Sequence, residues 1–65
     1  MKFSKEKLFF AMARKQMTGA ELAKLAEVRP LTVSRMRNEK EVTPKTAGKI
    51  AQALGVDVTD IMKED

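Results

Sequence analysis

The sequence contains no cysteine, which excludes disulfide bonds, thiolate metal ligands and a cysteine nucleophile. It also contains no histidine, the side chain that most often serves as a general base or a transition-metal ligand. A metal site would need carboxylates alone, and we expect neither a metal nor another cofactor. Catalysis would also have to rely on carboxylates. Glu39 and Glu41 lie in a predicted loop, where acidic side chains typically serve only to keep the surface soluble. The composition therefore argues against an enzyme.

Long apolar runs and sheet-like alternation are missing as well. The longest apolar run extends from Leu8 to Ala13, far short of the ~20 residues that cross a bilayer and too short for a signal segment. We therefore expect a soluble, cytoplasmic, nucleoid-associated protein with no membrane partner. Period-2 alternation is absent, and 65 residues allow a single domain over residues 1–65.

Basic residues, in contrast, are plentiful and unevenly distributed. The segment from Val28 to Lys49 contains six basic and two acidic residues, and six minus two gives +4, the net charge of the whole chain. The remaining seven basic and seven acidic residues cancel. Clustered basic charge is the footprint of a polyanion-binding site, although a solvated basic surface would give the same count.

The first two predicted helices have clear N-terminal caps. One runs from about residue 5 to residue 15 after Ser4, with Phe3 and Leu8 at the spacing of a hydrophobic staple. The next runs from about residue 19 to residue 26, where Thr18 and Glu21 have the spacing of a capping box. The predicted buried faces comprise Leu8, Phe9, Ala11, Met12 and the stem of Lys15 in the first helix, and Leu22, Ala23, Leu25 and Ala26 in the second.

Three further helices are predicted downstream. The third, from about residue 30 to 37, starts with Pro30, whose missing amide costs nothing at that position. The fourth, from about residue 44 to 54, follows Thr43 and ends before Gly55; we expect close packing to account for Gly48 within it. A short fifth helix is predicted from about residue 58 to 62. The pattern predicts an all-α fold, a compact five-helix domain.

Residues 19–38, GAELAKLAEVRPLTVSRMRN, have the pattern of a helix-turn-helix. Three residues separate the two helices, a turn short enough to hold them at a steep angle. The first helix of the pair could then rest on phosphates while the second enters the major groove. Apolar or small residues occupy the positions where the two helices must pack, namely Leu22, Ala23, Ala26, Val28, Val33 and Met36.

Over nearly its whole length the chain resembles the phage repressor and Cro family of helix-turn-helix proteins, also called the XRE-type domain. The stretch TGAELAKLAEVRPLTVSRMRN resembles its two-helix signature, and TPKTAGKIAQALGVDVTDIM resembles its usual ending. The resemblance implies a small transcriptional regulator, with repression favoured, that binds double-stranded DNA as a homodimer on a pseudo-palindromic operator. The alternative is an interaction module of the same fold, such as an antitoxin or antirepressor. No small-molecule ligand is evident.

Three positions depart from the family's pattern. Gly19 replaces a glutamine that often touches phosphate, although the backbone amide there can still bind an anion. Glu27 replaces a glycine, which predicts either a slightly strained backbone or a differently built turn. Met12 and Arg37 replace an arginine–glutamate pair, so no buried charge is stranded and Arg37 is free to contact phosphate.

The resemblance places the residues that read bases on the third helix. Arg35 could hold guanine O6 and N7 bidentately, worth ~1–3 kcal/mol of discrimination, and Leu31 could press on a thymine methyl. Arg29 could contact a base or a phosphate, and an ordinary surface role is the alternative for both arginines. The base-reading set is Arg29, Pro30, Leu31, Thr32, Ser34 and Arg35, and the phosphate-binding set is Thr18, Gly19, Arg37, Asn38, Lys40, Thr43 and Lys45.

A homodimer is expected on DNA because one small domain makes few contacts, and a second copy adds area and specificity. The candidate dimer surface comprises Val58, Ile61 and Met62, with Phe10 as a possible addition. The alternative is that the first three close the core and that Phe10 packs partly against a neighbouring element. The tail, Lys63, Glu64 and Asp65, is too short to hold another protein.

Overall fold

The computed structural model describes residues 1–63, so the predicted tail residues Glu64 and Asp65 lie outside the described residues. The elements are α1 (Lys5–Arg14), α2 (Gly19–Ala26), α3 (Pro30–Arg37), α4 (Pro44–Leu54) and a single 3-10 turn (Val58–Asp60). All four α-helices begin where the sequence predicts. The limits of α2, α3 and α4 are confirmed at both ends, whereas α1 ends one residue before the predicted position.

The predicted fifth α-helix is wrong, because the chain forms only the 3-10 turn and then becomes extended. Phe3 and Met62 form an antiparallel bridge. The Ser4 amide donates to the Ile61 carbonyl at 2.8 Å, and the Lys63 amide donates to the Lys2 carbonyl at 2.9 Å. Backbone pairing with the N-terminal segment therefore satisfies the groups that a longer helix would have used.

The predicted N-terminal caps are present. The Ser4 hydroxyl accepts from the Lys7 amide at 3.3 Å, and the Thr43 hydroxyl accepts from the Thr46 amide at 3.2 Å. In the capping box of α2, the Glu21 amide donates to Thr18 Oγ1 at 3.1 Å and the Thr18 amide donates to Glu21 Oε1 at 3.0 Å. These local bonds explain why the helix starts could be read from sequence.

The core lies where α2 packs against α3 and α4. Two residues predicted to be buried are not: Phe9 is 60% exposed and Leu25 is 58% exposed. The buried stripe of each helix is narrower than predicted. Phe9 and Leu25 each lie next in sequence to a buried residue, and one step along an α-helix turns a side chain about 100° away from its neighbour. Ile61, predicted at the dimer surface, is 1% exposed and closes the core instead. The largest fully buried side chains are Phe3, Leu8, Leu22, Met36, Ile50, Leu54 and Ile61.

The turn between α2 and α3 has a left-handed backbone at Glu27, with φ of 58°. Its amide and that of Val28 donate to carbonyls at the end of α2, the Val28 bond reaching Ala23 at 2.9 Å. Of the two predicted possibilities, the strained backbone is the one observed, since a side chain is disfavoured in this conformation. Gly55, with φ of 69°, ends α4 as predicted.

Gly48 is exposed on α4, and a Cβ at this position would meet nothing within 4 Å. The prediction that close packing accounts for this glycine is therefore wrong. No contact among residues 1–63 requires it.

Candidate nucleic-acid interface

The outer face of α3 presents the residues that were predicted to read bases. Val33 and Met36 are buried, and their spacing turns the opposite face of the helix outwards. Leu31 is 69% exposed. Arg29 precedes the helix as its N-cap but makes no side-chain capping bond, so its guanidinium is not used at the start of the helix. Thr32 is half-buried, and the exposed members of the set are Arg29, Pro30, Leu31, Ser34 and Arg35.

A cleft of about 320 Å³ separates α3 from the start of α4. It brings the predicted base-reading residues Thr32 and Arg35 beside Thr43, a predicted phosphate contact. Thr46, which the sequence analysis did not select, also lines this cleft, and its hydroxyl accepts from the Thr43 hydroxyl at 3.1 Å. The sequence signal for Thr46 was its position three residues after the N-cap Thr43, because that spacing places its side chain beside the cap.

A second hollow, about 420 Å³, lies beside the start of α2 and brings together the predicted phosphate residues Thr18, Gly19 and Arg37. A Cβ on Gly19 would lie 3.2 Å from Arg37 Nη1, so the guanidinium rests against the first residue of the helix. Met12 lines the same hollow, in agreement with the predicted exchange of the arginine–glutamate pair. Arg37 is exposed, and no charge is buried there.

The remaining phosphate candidates, Asn38, Lys40 and Lys45, are exposed and line neither hollow. Asn38 has a structural task, because its Nδ2 donates to the Ser34 carbonyl at 2.8 Å at the end of α3. Asn38 is thus the C-cap of α3. The Lys40 amide donates to the Arg35 carbonyl at 3.0 Å, which fixes the start of the loop while the ammonium stays in solvent.

Glu39 and Glu41 do more than solubilise the loop between α3 and α4, contrary to the prediction. Glu39 accepts from the Lys5 amide at 3.2 Å and pairs with Lys63 Nζ at 3.1 Å. Glu41 pairs with the N-terminal ammonium of Met1. The pKa of Glu39 is lowered mainly by the hydrogen bond from the Lys5 amide and next by that from Lys63. The hydrogen bond from the N-terminal ammonium lowers the pKa of Glu41.

These contacts direct both carboxylates of the basic segment towards residues outside it, Met1 and Lys5 near the N-terminus and Lys63. Within residues 1–63, the ion pairs of the segment are those of Glu39 and Glu41 alone, and both are made with groups outside it. The basic side chains from Arg29 to Lys49 therefore keep their charge available to a polyanion.

Two features of the described part of the chain concern other kinds of site. No group of three or more aspartates, glutamates, histidines or cysteines among residues 1–63 could hold a metal ion. None of the helices in that range is long and apolar enough to cross a membrane. The cleft beside α3 and the hollow at the start of α2 are the candidate site because they contain the predicted DNA-contacting residues.

Residues 7–64 match the model of the Cro/C1-type helix-turn-helix DNA-binding domain. The match includes α2, α3 and the cleft between α3 and α4, and so spans both hollows. No curated protein matches the chain.

Solved structures with the same fold include a mutant of hydroxyethylphosphonate dioxygenase, 25% identical with a TM-score of 0.86. Native PhpD with cadmium atoms is also 25% identical, with a TM-score of 0.85. Each alignment covers 98% of this chain but only 14% of the other. The chain therefore spans about a seventh of those proteins, and their activity belongs to them as whole molecules.

Proposed function

Since the chain belongs to the Cro/C1-type helix-turn-helix DNA-binding domain family, we propose that it binds specific sequences in double-stranded DNA and regulates transcription. The favoured role is that of a repressor, because a protein seated on an operator excludes others from the same DNA. The proposal assigns no catalytic activity to the chain.

The observation that carries the proposal is the cleft between α3 and the start of α4. It joins Arg35 and Thr32, on the helix that would enter the major groove, to Thr43 at the N-terminus of the next helix. A base-reading side chain and an anion-binding helix end thus share one surface. Arg35 is proposed to hold a guanine edge bidentately while Thr43 and Lys45 hold the flanking backbone.

The second hollow supports the same orientation. With α3 in the major groove, the start of α2 faces the phosphates. Arg37 rests against Gly19 at that point, so its positive charge adds to the partial positive charge of the helix end. Phosphate contacts of this kind fix the register of the protein without reading sequence.

We further propose that the chain binds DNA as a homodimer. The candidate surface now consists of Phe10, which is 61% exposed, and the half-buried residues Val58 and Met62, without the buried Ile61. Phe10 lies in a shallow hollow with Arg14 and Asp60, which carry opposite charges. In a two-fold dimer the same patch of each copy meets its counterpart, so the patch brings both an arginine and an aspartate to the interface.

Selection from a random duplex library with the purified protein tests the proposal. We expect an enriched pseudo-palindrome whose half-sites lie about one helical turn, ~10 bp, apart. Enrichment of a single half-site would support sequence-specific DNA binding and contradict the homodimer. No enrichment at low salt would contradict the function itself.

A pair of variants separates sequence reading from backbone binding. Arg35→Ala should lose roughly 1–3 kcal/mol on the selected sequence and flatten the preference at one base position, because a bidentate guanine contact is removed. Lys40→Ala should weaken the selected and random duplexes equally and reduce the salt slope by ~0.9. An equal loss on both duplexes for Arg35→Ala would count against its reading role.

A further inference from the structure

We propose that Phe9 is a DNA-contacting residue whose ring packs against a deoxyribose beside the phosphate at the start of α2. This inference rests on the proposed function and assigns an additional binding residue to its site. The helical spacing predicts Phe9 in the core, whereas the structure places it on the surface, 60% exposed.

The position of Phe9 separates it from its neighbour. Phe9 lines the hollow that contains Thr18, Gly19 and Arg37. Phe10, equally exposed at 61%, lines a different hollow together with Val56 and Asp60. Two adjacent phenylalanines with the same exposure thus face two different surfaces, and only that of Phe9 includes the predicted phosphate contacts.

The composition of the Phe9 hollow fits one strand of a nucleic-acid backbone. Its apolar part is formed by Phe9, Met12 and Met17, and its charged part is the guanidinium of Arg37. A DNA strand alternates an anionic phosphate with an apolar sugar face, and so presents the complementary pattern. Arg37 and the start of α2 would bind the phosphate through charge and hydrogen bonds, and the exposed Phe9 ring would pack against the neighbouring sugar.

The replacement of the arginine–glutamate pair makes this arrangement possible. Met12 provides an apolar floor where a buried charge would otherwise lie. Arg37 has no ion-pair partner among residues 1–63 and lies at the edge of the hollow against Gly19. The absence of a side chain on Gly19 allows this close approach, since a Cβ there would lie 3.2 Å from Nη1 and the guanidinium would have to shift by a few tenths of an ångström.

The test compares Phe9→Ala with Leu25→Ala on a mixed-sequence duplex of about one and a half turns, ~15 bp, which holds a single copy. Leu25 is 58% exposed and lines neither the cleft beside α3 nor the hollow at the start of α2. Phe9→Ala should weaken binding about fivefold, whereas Leu25→Ala should change it less than twofold. Because no charge is removed, the salt slope of Phe9→Ala should equal that of the wild type. Arg37→Ala should lower that slope by ~0.9.

Inorganic polyphosphate is the second probe, because it has the charge of a DNA backbone but no sugar. Phe9→Ala should bind polyphosphate like the wild type, and Arg37→Ala should bind it more weakly. In the duplex complex, nuclear Overhauser contacts should join the Phe9 ring protons to deoxyribose protons. These contacts test the proposal in the wild-type protein, without a variant that must fold.

The outcomes distinguish this inference from the proposed function. A wild-type protein that binds no duplex at low salt overturns the function and this inference together. A wild-type protein that binds duplex, with equal affinities for Phe9→Ala and Leu25→Ala, overturns only the role of Phe9. An equal loss of duplex and polyphosphate binding by Phe9→Ala does the same, since it would show an effect on charge placement rather than on a sugar contact.

Discussion

Replacing Glu27 by glycine should stabilise the fold, because Glu27 holds the left-handed conformation that the turn between α2 and α3 requires. A residue with a side chain costs about 1–2 kcal/mol there relative to glycine. The gain from glycine is reduced by about 0.4–1 kcal/mol, because glycine gives the unfolded chain a greater conformational entropy. We therefore expect Glu27→Gly to raise the free energy of unfolding by about 0.5–1 kcal/mol. The Glu27 side chain is exposed, so little packing is lost.

Urea denaturation followed by circular dichroism measures this change. With a slope near 1 kcal/mol/M, typical of a small domain, the midpoint should rise by about 0.5–1 M. Glu27→Ala is the matched control: it removes the carboxylate from the end of α2 but keeps the Cβ in the left-handed conformation. Equal midpoints for the glycine and alanine variants would refute the argument from backbone strain, because the carboxylate would then be the cause.

Two other stability measurements follow from the structure. Gly48→Ala should raise the unfolding free energy by about 0.5–1 kcal/mol, because the site is helical, exposed and has open space around a Cβ; a lower thermal midpoint would mean that the glycine has a structural task. The pKa values of Glu21, Glu39 and Glu41 are lowered by hydrogen bonds and cations in the folded state. Carboxylates of this kind stabilise the fold above their unfolded pKa, about 4.3 for glutamate, and this contribution is lost as the pH falls through the lower folded value. The thermal midpoint should thus be level from about pH 6 to 5 and fall towards pH 3, and Glu39→Gln should reduce that fall; identical profiles for the variant and the wild type would contradict the role of Glu39.

Local signals predicted most of the helical architecture. Thr18 and Thr43 cap their helices through bonds to residues three positions away, so a short window of sequence contains both partners. The buried stripe of α4 was equally readable from its spacing of three and four residues. In these cases the structure depends on neighbours in sequence, and the prediction could succeed.

Contacts between distant parts of the chain could not be predicted in the same way. The bridge between Phe3 and Met62 replaces the fifth helix, and the bond from Lys5 to Glu39 gives a loop carboxylate a structural task. Neither pairing has a local sequence signal. The exposure of Phe9 depends on how wide a stripe the other helices cover, and this is a property of the packed domain rather than of α1.

The sequence could name candidate site residues but not how they are grouped, and which of them contact DNA stays a prediction. Thr32, Arg35 and Thr43 meet in one cleft, whereas Thr18, Gly19 and Arg37 meet in another. The grouping depends on the angle between α2 and α3, which a sequence pattern indicates only as steep. Phe9, which we propose as a DNA contact, and Thr46, which lines the cleft, were not selected from the sequence. An apolar residue gives no sign of DNA binding, and the spacing of Thr46 indicates a neighbour of the helix cap rather than a DNA contact.

The most direct test of the central claim is a nuclear magnetic resonance titration of the labelled protein with a duplex selected by it. We expect the largest amide shift changes on α3 and at Gly19, Thr43 and Lys45, while residues around Phe10 and Val56 change little on a single half-site. Shift changes concentrated on the Phe10 surface, with α3 unaffected, would contradict the claim that α3 is the helix that meets DNA.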